Sequence, residues 1–183
     1  MRCKPCYTSG LVLLAMVALA SPTAAQTVAA GPYYATPSWD QTLACTSLAN
    51  CPRFIVLSNM NQEAVLDRET GLVWERSPST SNSWFGAQTR CNRLAVGNRM
   101  GWRVPTLQEL ASLIDRSQSS PALPSGHPFN NVQSSSYWSA TSNAIANDFG
   151  WSVFFGNGQA FTPDKPAILF IWCVRGGQGV DPQ

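Results

Sequence analysis

The cysteines constrain this fold more than any other residues, because a disulfide fixes two distant points of a short chain. The chain of 183 residues contains six cysteines, and four of them follow residue 25: Cys45, Cys51, Cys91 and Cys173. Four cysteines allow three pairings, and their order alone does not select one. Their spacing matches no zinc pattern and the chain has one histidine, so disulfides are favoured over a metal site. Such cysteine usage is typical of an oxidising compartment.

Residues 1–25 have the pattern of a secretory signal peptide. Arg2 and Lys4 form a basic start, residues 11–20 form an apolar run, and small residues precede Gln26. The apolar run is too short for a membrane anchor, since a bilayer core requires about 20 residues. We therefore expect cleavage before Gln26 and a secreted or periplasmic protein without a transmembrane segment.

The charge of the remaining chain is close to neutral. The whole chain has 12 Lys+Arg against 10 Asp+Glu, and loss of the two basic residues in 1–25 would leave ten of each. Nucleic-acid binders and membrane-surface binders usually carry a basic face or a basic run, and no such run remains. We therefore expect no nucleic-acid partner.

Three regions follow residue 25. Residues 26–52 lack periodicity and are predicted to form an extended arm, residues 53–177 form one domain, and residues 178–183 form a tail. The domain opens with a predicted β-hairpin over residues 63–76, because Gly71 supplies a position that accepts positive φ.

Helical spacing then predicts two helices. In the first, Ala87 and Cys91 lie on one apolar face, residue 82 or 83 is the N-cap, and Gly97 is the stop. The second helix begins after Pro105, and its start is marked by a capping box in Thr106-x-x-Glu109. Its apolar stripe continues over residues 107–114.

The second half of the domain is predicted to be loops and strands. Residues 116–136 are rich in Ser, Pro, Asn and Gly and predict a long surface loop, followed by a short strand over 137–140. Asn157-Gly158 predicts a hairpin between residues 151–155 and 159–161. Residues 168–174 form a buried final strand. This order of elements predicts an α+β domain with small antiparallel sheets.

Four short motifs occur in this order: Arg53-Phe54 leading to Asp67-x-x-Thr70-Gly71-Leu72-x-Trp74, then Gly101-Trp102-Arg103-Val104-Pro105-Thr106-x-x-Glu109-Leu110, Tyr137-Trp138-Ser139-x-Thr141 and Cys173-Val174-Arg175-Gly176. In this order they resemble the Lcl C-terminal domain family, named after a collagen-like bacterial adhesin. The resemblance implies a C-type-lectin-like fold with two helices, long loops and a disulfide between Cys91 and Cys173. A disulfide between Cys45 and Cys51, which would close a short loop, is then the favoured second pairing. The family's signature residues are expected to be structural: Trp74, Trp102, Arg103, Pro105, Glu109 and Trp138.

No catalytic motif is recognisable. The chain lacks His-Glu-x-x-His, Gly-x-Ser-x-Gly, a phosphate-binding glycine loop and a dinucleotide fingerprint, and no nucleophile elbow accompanies its one histidine, His127. We therefore predict that the protein is not an enzyme. Two alternatives remain open: a scaffold resembling formylglycine-generating enzymes, which requires free cysteines, and a hydrolase with two carboxylates from distant segments.

Loops on a rigid scaffold usually carry function, and residues 142–150 and 156–165 are the candidate loops. Asn147-Asp148 resembles part of a calcium signature, but two oxygen ligands fall short of the six to eight that calcium prefers, so no cofactor is predicted and calcium stays an alternative. The alternative is that Trp151 is a buried strand residue and that the asparagines form turns. The candidate ligand-binding residues are Asn143, Asn147, Asp148, Trp151, Asn157, Asp164 and Lys165.

These observations favour a secreted, non-catalytic module that recognises a glycan or surface polymer. Four arginines could form a local basic patch for a polyanion: Arg90, Arg93, Arg99 and Arg103. A protein partner in the cell envelope is the remaining alternative, since loop aromatics would serve it equally well.

Overall fold

The computed structural model describes residues 52–78 and 80–177, and they form an α+β fold with two five-stranded sheets and two α-helices. The predicted α+β class is therefore confirmed. Several predictions concern residues outside this range: the signal peptide, the arm up to residue 51, the Cys45–Cys51 loop and the tail over 178–183.

The first sheet contains the predicted N-terminal hairpin. Its strands are β1 (Phe54–Val56), β2 (Ala64–Asp67), β3 (Val73–Glu75), β5 (Trp102–Arg103) and β10 (Val174–Arg175). The sheet order is β1-β2-β3-β10-β5, with every neighbouring pair antiparallel. Strands β2 and β3 form the hairpin, and Gly71 between them has φ +71°.

The strands of the second sheet are β4 (Thr80–Asn82), β6 (Ser136–Ser142), β7 (Gly150–Phe154), β8 (Gln159–Phe161) and β9 (Leu169–Ile171). Their order in the sheet is β4-β9-β6-β7-β8. The sheet is not wholly antiparallel, because β6 and β9 run parallel. In the β7–β8 hairpin, Gly158 has φ +75° whereas Asn157 is not left-handed, so the glycine alone supplies the left-handed turn conformation.

Both helices start where the sequence predicts and end earlier. Helix α1 (Trp84–Arg93) is capped by Ser83, whose hydroxyl accepts the Gly86 N–H at 3.3 Å, and it stops well before Gly97. Helix α2 (Leu107–Ala111) is little more than one turn. The predicted apolar stripe over residues 107–114 extends beyond the end of this helix. Leu113 is buried, but it belongs to the turn that follows α2.

The predicted single strand over 168–174 is divided between the two sheets. Residues 169–171 form β9 in the second sheet, and 174–175 form β10 in the first. Between them, Trp172 donates its indole N–H to the Glu75 carbonyl at 2.7 Å, and Cys173 forms a disulfide with Cys91 of α1. Residues 171–174 are all buried, because the chain crosses here between two hydrophobic clusters.

The signature residues lie in and around these two clusters. Trp74 packs edge-to-face against Trp172 in one cluster, and Trp102 and Trp138 are buried beneath α1 in the other. Burial of a ring of this size contributes about 4 kcal/mol to folding. Pro105 is buried, and its carbonyl accepts the Ala140 N–H at 2.6 Å.

Candidate functional site

Three chain segments meet at one end of the second sheet. The loop 143–149 joins β6 to β7, the connection 162–168 joins β8 to β9, and α1 begins beside them. Backbone hydrogen bonds hold the segments together, since the Lys165 N–H donates to the Asp148 carbonyl at 2.8 Å and the Trp84 N–H to the Lys165 carbonyl at 2.9 Å. We call the surface formed by Trp84, Phe85, Ser142 and Lys165 the sheet-end site.

Trp84 is the anchor of the sheet-end site. Its indole N–H donates to the Ser139 carbonyl at 2.8 Å, and its ring lies over Gly150, where a β-carbon would approach Trp84 Cδ1 to 2.8 Å. Phe85 stands edge-on to Trp84 with ring centroids 5.1 Å apart, and 65% of its surface is exposed. The helix start therefore holds one aromatic ring in place and presents the next to solvent.

Lys165 supplies the charge of the site. Its Nζ donates to the Ser142 hydroxyl at 2.8 Å and lies 4.4 Å from the centre of the Trp84 ring, a cation–π contact. The Phe85 ring centre is 5.9 Å away. In the part of the chain that the structure describes, the ion pairs are formed by arginines, so no carboxylate neutralises this ammonium there.

Five of the seven predicted ligand residues lie beside this site. Lys165 is in it, and Asp164 forms an isolated β-bridge with Phe149 of the adjoining loop. Asn147 and Asp148 are exposed on that loop. Asn143 stabilises the turn of this loop, because its side-chain oxygen accepts hydrogen bonds from the N–H groups of residues 145 and 146 at 2.9 and 3.2 Å.

The other two predicted ligand residues stand apart. Asn157 belongs to the turn at the opposite end of β7, where its side chain accepts the Gln159 N–H at 3.1 Å. That turn packs against Ile114, which a β-carbon on Gly158 would approach to 2.3 Å. Trp151 is half-buried within β7, and its carbonyl accepts the Ser139 hydroxyl at 2.8 Å.

Sequence reasoning missed Trp84 and Phe85. Two adjacent aromatic residues at a helix start indicate that one of them is exposed, because neighbouring helix positions point about 100° apart and cannot both face the core. The sequence does not predict that these rings lie near Lys165, because Trp84 and Lys165 are 81 positions apart in the chain.

The predicted arginine patch divides into paired and unpaired members. Arg90 forms an ion pair with Glu75, and Arg103 pairs with Glu109 at 2.7 Å while also donating to the Gly176 carbonyl. Arg93 and Arg99 are exposed and form no ion pair within residues 52–78 and 80–177. Two of the four charges are therefore already neutralised.

A cleft lies by the first sheet. This cleft has a volume of about 320 Å³, and Glu63, Glu75 and Arg76 are among its lining residues. Their polar atoms are largely engaged: Glu63 accepts the Gly97 N–H at 2.8 Å, and Arg76 donates to the Pro128 and Gln62 carbonyls. Glu63 and Arg76 therefore already have partners within the fold.

Among the described residues, no set of three or more His, Cys, Asp or Glu side chains is placed to hold a metal ion. No helix in the same ranges is long and apolar enough to span a bilayer.

The fold and its exposed loop surface define a disulfide-linked α+β module. The family model of the Lcl C-terminal domain matches residues 63–175, and the chain belongs to this family. Membership indicates an adhesin-type module, and together with the Cys91–Cys173 disulfide it indicates an extracellular or envelope location. A comparison with curated proteins finds no match.

Proposed function

We propose that this protein is a secreted or periplasmic, non-catalytic binding module that recognises a glycan or surface polymer through the sheet-end site. The observation that carries the proposal is the pairing of an exposed ring, Phe85, with a fixed ammonium, Lys165, on loops held by a rigid sheet. Binding sites generally combine apolar and aromatic surface with a few placed polar groups. A sugar offers the matching surfaces, an apolar ring face and a rim of hydroxyls.

The proposal extends to fold type and domain limits. Residues 53–177 would be the binding domain, following a cleaved signal peptide and an arm, and the fold would be C-type-lectin-like. The disulfide from α1 to the crossover before the last strand supports this comparison. It also argues against chemistry of the formylglycine-generating type, because Cys91 and Cys173 are paired and offer no reactive thiol.

A protein partner is the second candidate. Ile145, at the tip of the loop 143–149, is 99% exposed, and Ile168 and Phe161 on neighbouring segments are also exposed. Exposed apolar side chains grouped near one end of a domain are typical of protein interaction sites.

A glycan array tests the proposal. The purified protein is applied to neutral, carboxylated and sulphated glycans, with calcium and again with chelator. We expect binding to one sugar class, and loss of binding under chelator would add calcium, with Asn147 and Asp148 as the first residues to substitute. Silence across the array would overturn the glycan proposal and favour the protein partner.

The variant Phe85→Ala tests where the ligand sits. We expect it to weaken binding by about ten-fold, since truncating a central aromatic contact typically costs more than 1 kcal/mol. Met100→Ala is the matched control, because Met100 is 66% exposed and lies just before β5 of the other sheet. Equal loss in both variants, or in neither, would contradict the sheet-end site.

A further inference from the structure

We infer that Cys173 supplies the attacking thiolate when the Cys91–Cys173 disulfide forms, and that Arg90 is the positioning residue that stabilises this thiolate. The inference goes beyond the proposed binding function, because it concerns the reaction by which the domain acquires its disulfide. Arg90 donates a guanidinium N–H to Cys173 Sγ at 2.6 Å. Of the two sulfurs, Cys173 Sγ receives this hydrogen bond, although Arg90 directly precedes Cys91 in the chain.

Arg90 is held beside this sulfur by contacts that do not involve the disulfide. Its guanidinium binds both oxygens of the Glu75 carboxylate. Glu75 is itself bound to the crossover, because its backbone N–H donates to the Cys173 carbonyl at 3.0 Å and its own carbonyl accepts the Trp172 indole N–H at 2.7 Å. Packing of α1, β3 and the crossover therefore places the guanidinium, and we expect it to be in place before the two sulfurs are joined.

This arrangement favours a thiolate at Cys173 over one at Cys91. A cation beside a cysteine stabilises the thiolate, which is the form that attacks a disulfide. Both cysteines are fully buried, so loss of solvation opposes a thiolate at either of them. The Glu75 carboxylate also opposes it, but its oxygens accept hydrogen bonds from Arg90 and from the Cys173 backbone N–H. The direct N–H contact of Arg90 is the difference between the two sulfurs.

The other charged groups beside the crossover are engaged elsewhere. Arg175 donates to a backbone carbonyl just before β5 at 2.9 Å. Arg103, whose strand pairs with β10, forms its ion pair with Glu109 at 2.7 Å. Arg90 is therefore the cation that acts on Cys173.

The reaction takes a small-molecule disulfide, such as glutathione disulfide, as its oxidant. Before α1 packs against the crossover, the Cys91 thiolate attacks this oxidant, a glutathione thiolate leaves, and a mixed disulfide remains on Cys91. As the fold closes, the Cys173 thiolate attacks Cys91 Sγ. The bond between the two cysteines forms, the bond to glutathione breaks, and the second glutathione leaves as a thiolate. The cysteines lose two electrons, and glutathione disulfide gains them.

Oxidative refolding of the reduced full chain at pH 7 with glutathione disulfide tests this inference. Acid quenching, digestion and mass spectrometry follow the mixed disulfides on Cys91 and on Cys173, together with the closed form. We expect the mixed disulfide on Cys91 to close about ten-fold faster than the one on Cys173, because the attacking sulfur then lies beside Arg90. Equal closure from both positions, or faster closure from Cys173, would overturn the inference.

Charge variants separate the charge of Arg90 from its packing. Arg90→Gln combined with Glu75→Gln removes both charges without leaving a buried carboxylate unpaired, and it should abolish the preference for closure from Cys91. Glu75→Gln alone retains the cation and should retain the preference, and Arg90→Lys should retain part of it. A preference that survives in the double variant, or that Glu75→Gln alone abolishes, would show that the charge of Arg90 does not direct the reaction.

Discussion

At the residue scale, most of the buried polar and aromatic side chains that the structure describes stabilise the fold. Tyr137 illustrates it: its hydroxyl accepts the Gln133 N–H at 2.8 Å, its ring packs against Phe155 and Trp172, and burial raises its pKa to about 12. The sheet-end site differs because its aromatic residue Phe85 is exposed. Exposure therefore separates Phe85 from the signature tryptophans Trp74, Trp102 and Trp138, which are buried.

His127 should make stability depend on pH. Its Nδ1 is buried without a hydrogen-bond partner among the described residues, and burial lowers the pKa of the ring below its ordinary 6.5. The folded state then favours the neutral ring, so its contribution is complete above pH 6.5 and declines as the pH falls towards the folded-state pKa. Chemical unfolding at pH 8.0, 6.5 and 5.0 measures this decline, and His127→Phe should reduce it. An equal decline in the variant would assign the effect to other groups.

At the element scale, helix α2 is defined by its first turn. The Thr106 hydroxyl accepts the Glu109 N–H at 3.2 Å, and the Glu109 carboxylate accepts the Thr106 N–H at 2.9 Å. Glu109 is also bound by Arg103, which reaches from β5. One carboxylate thus caps the helix and joins it to the first sheet, which explains why a five-residue helix persists.

Substitutions in the capping box should separate these two roles. Thr106→Ala is expected to lower the free energy of unfolding by about 1 kcal/mol through loss of the cap, and Thr106→Ser should restore most of it. Glu109→Ala is expected to cost roughly 3 kcal/mol, because it also leaves the half-buried Arg103 without its ion pair. Urea unfolding measures both. Equal losses for Thr106→Ala and Glu109→Ala would show that the Arg103 contact contributes little.

At the scale of the whole molecule, the Cys91–Cys173 disulfide links helix α1 to the crossover between the two sheets. The paired residues are 82 positions apart, and both are fully buried. The bond therefore closes most of the domain into one loop of the unfolded chain. Closing so long a loop removes much of the conformational freedom that folding must otherwise overcome.

Removal of this disulfide should be severe. Cys91→Ala with Cys173→Ala is expected to lower the free energy of unfolding by about 4 kcal/mol, from the loop-closure entropy of the unfolded chain. The control is Cys45→Ala with Cys51→Ala, for which the predicted short loop gives a smaller loss. Chemical unfolding under non-reducing conditions compares them. A small effect of the first pair would mean that packing at the crossover is sufficient without the bond.

The sequence by itself determined the local features of this protein. The hairpin at Gly71, the helix starts at Ser83 and Thr106 and the β7–β8 hairpin follow from backbone preferences and caps that act over a few residues. The motif order predicted the family, and the family model confirms it. The ends of the helices were less predictable, because they depend on what packs beyond them.

Only the tertiary structure decided the division of the last strand and the composition of the candidate site. Residues 168–174 look like one buried strand, and the switch between sheets at Trp172 and Cys173 depends on partners contributed by β3 and α1. Likewise, Trp84, Ser142 and Lys165 come from three segments, and Asn157 is carried to the opposite end of β7. Long-range packing sets these positions, so the residues that flank them in the sequence carry no pattern that predicts them.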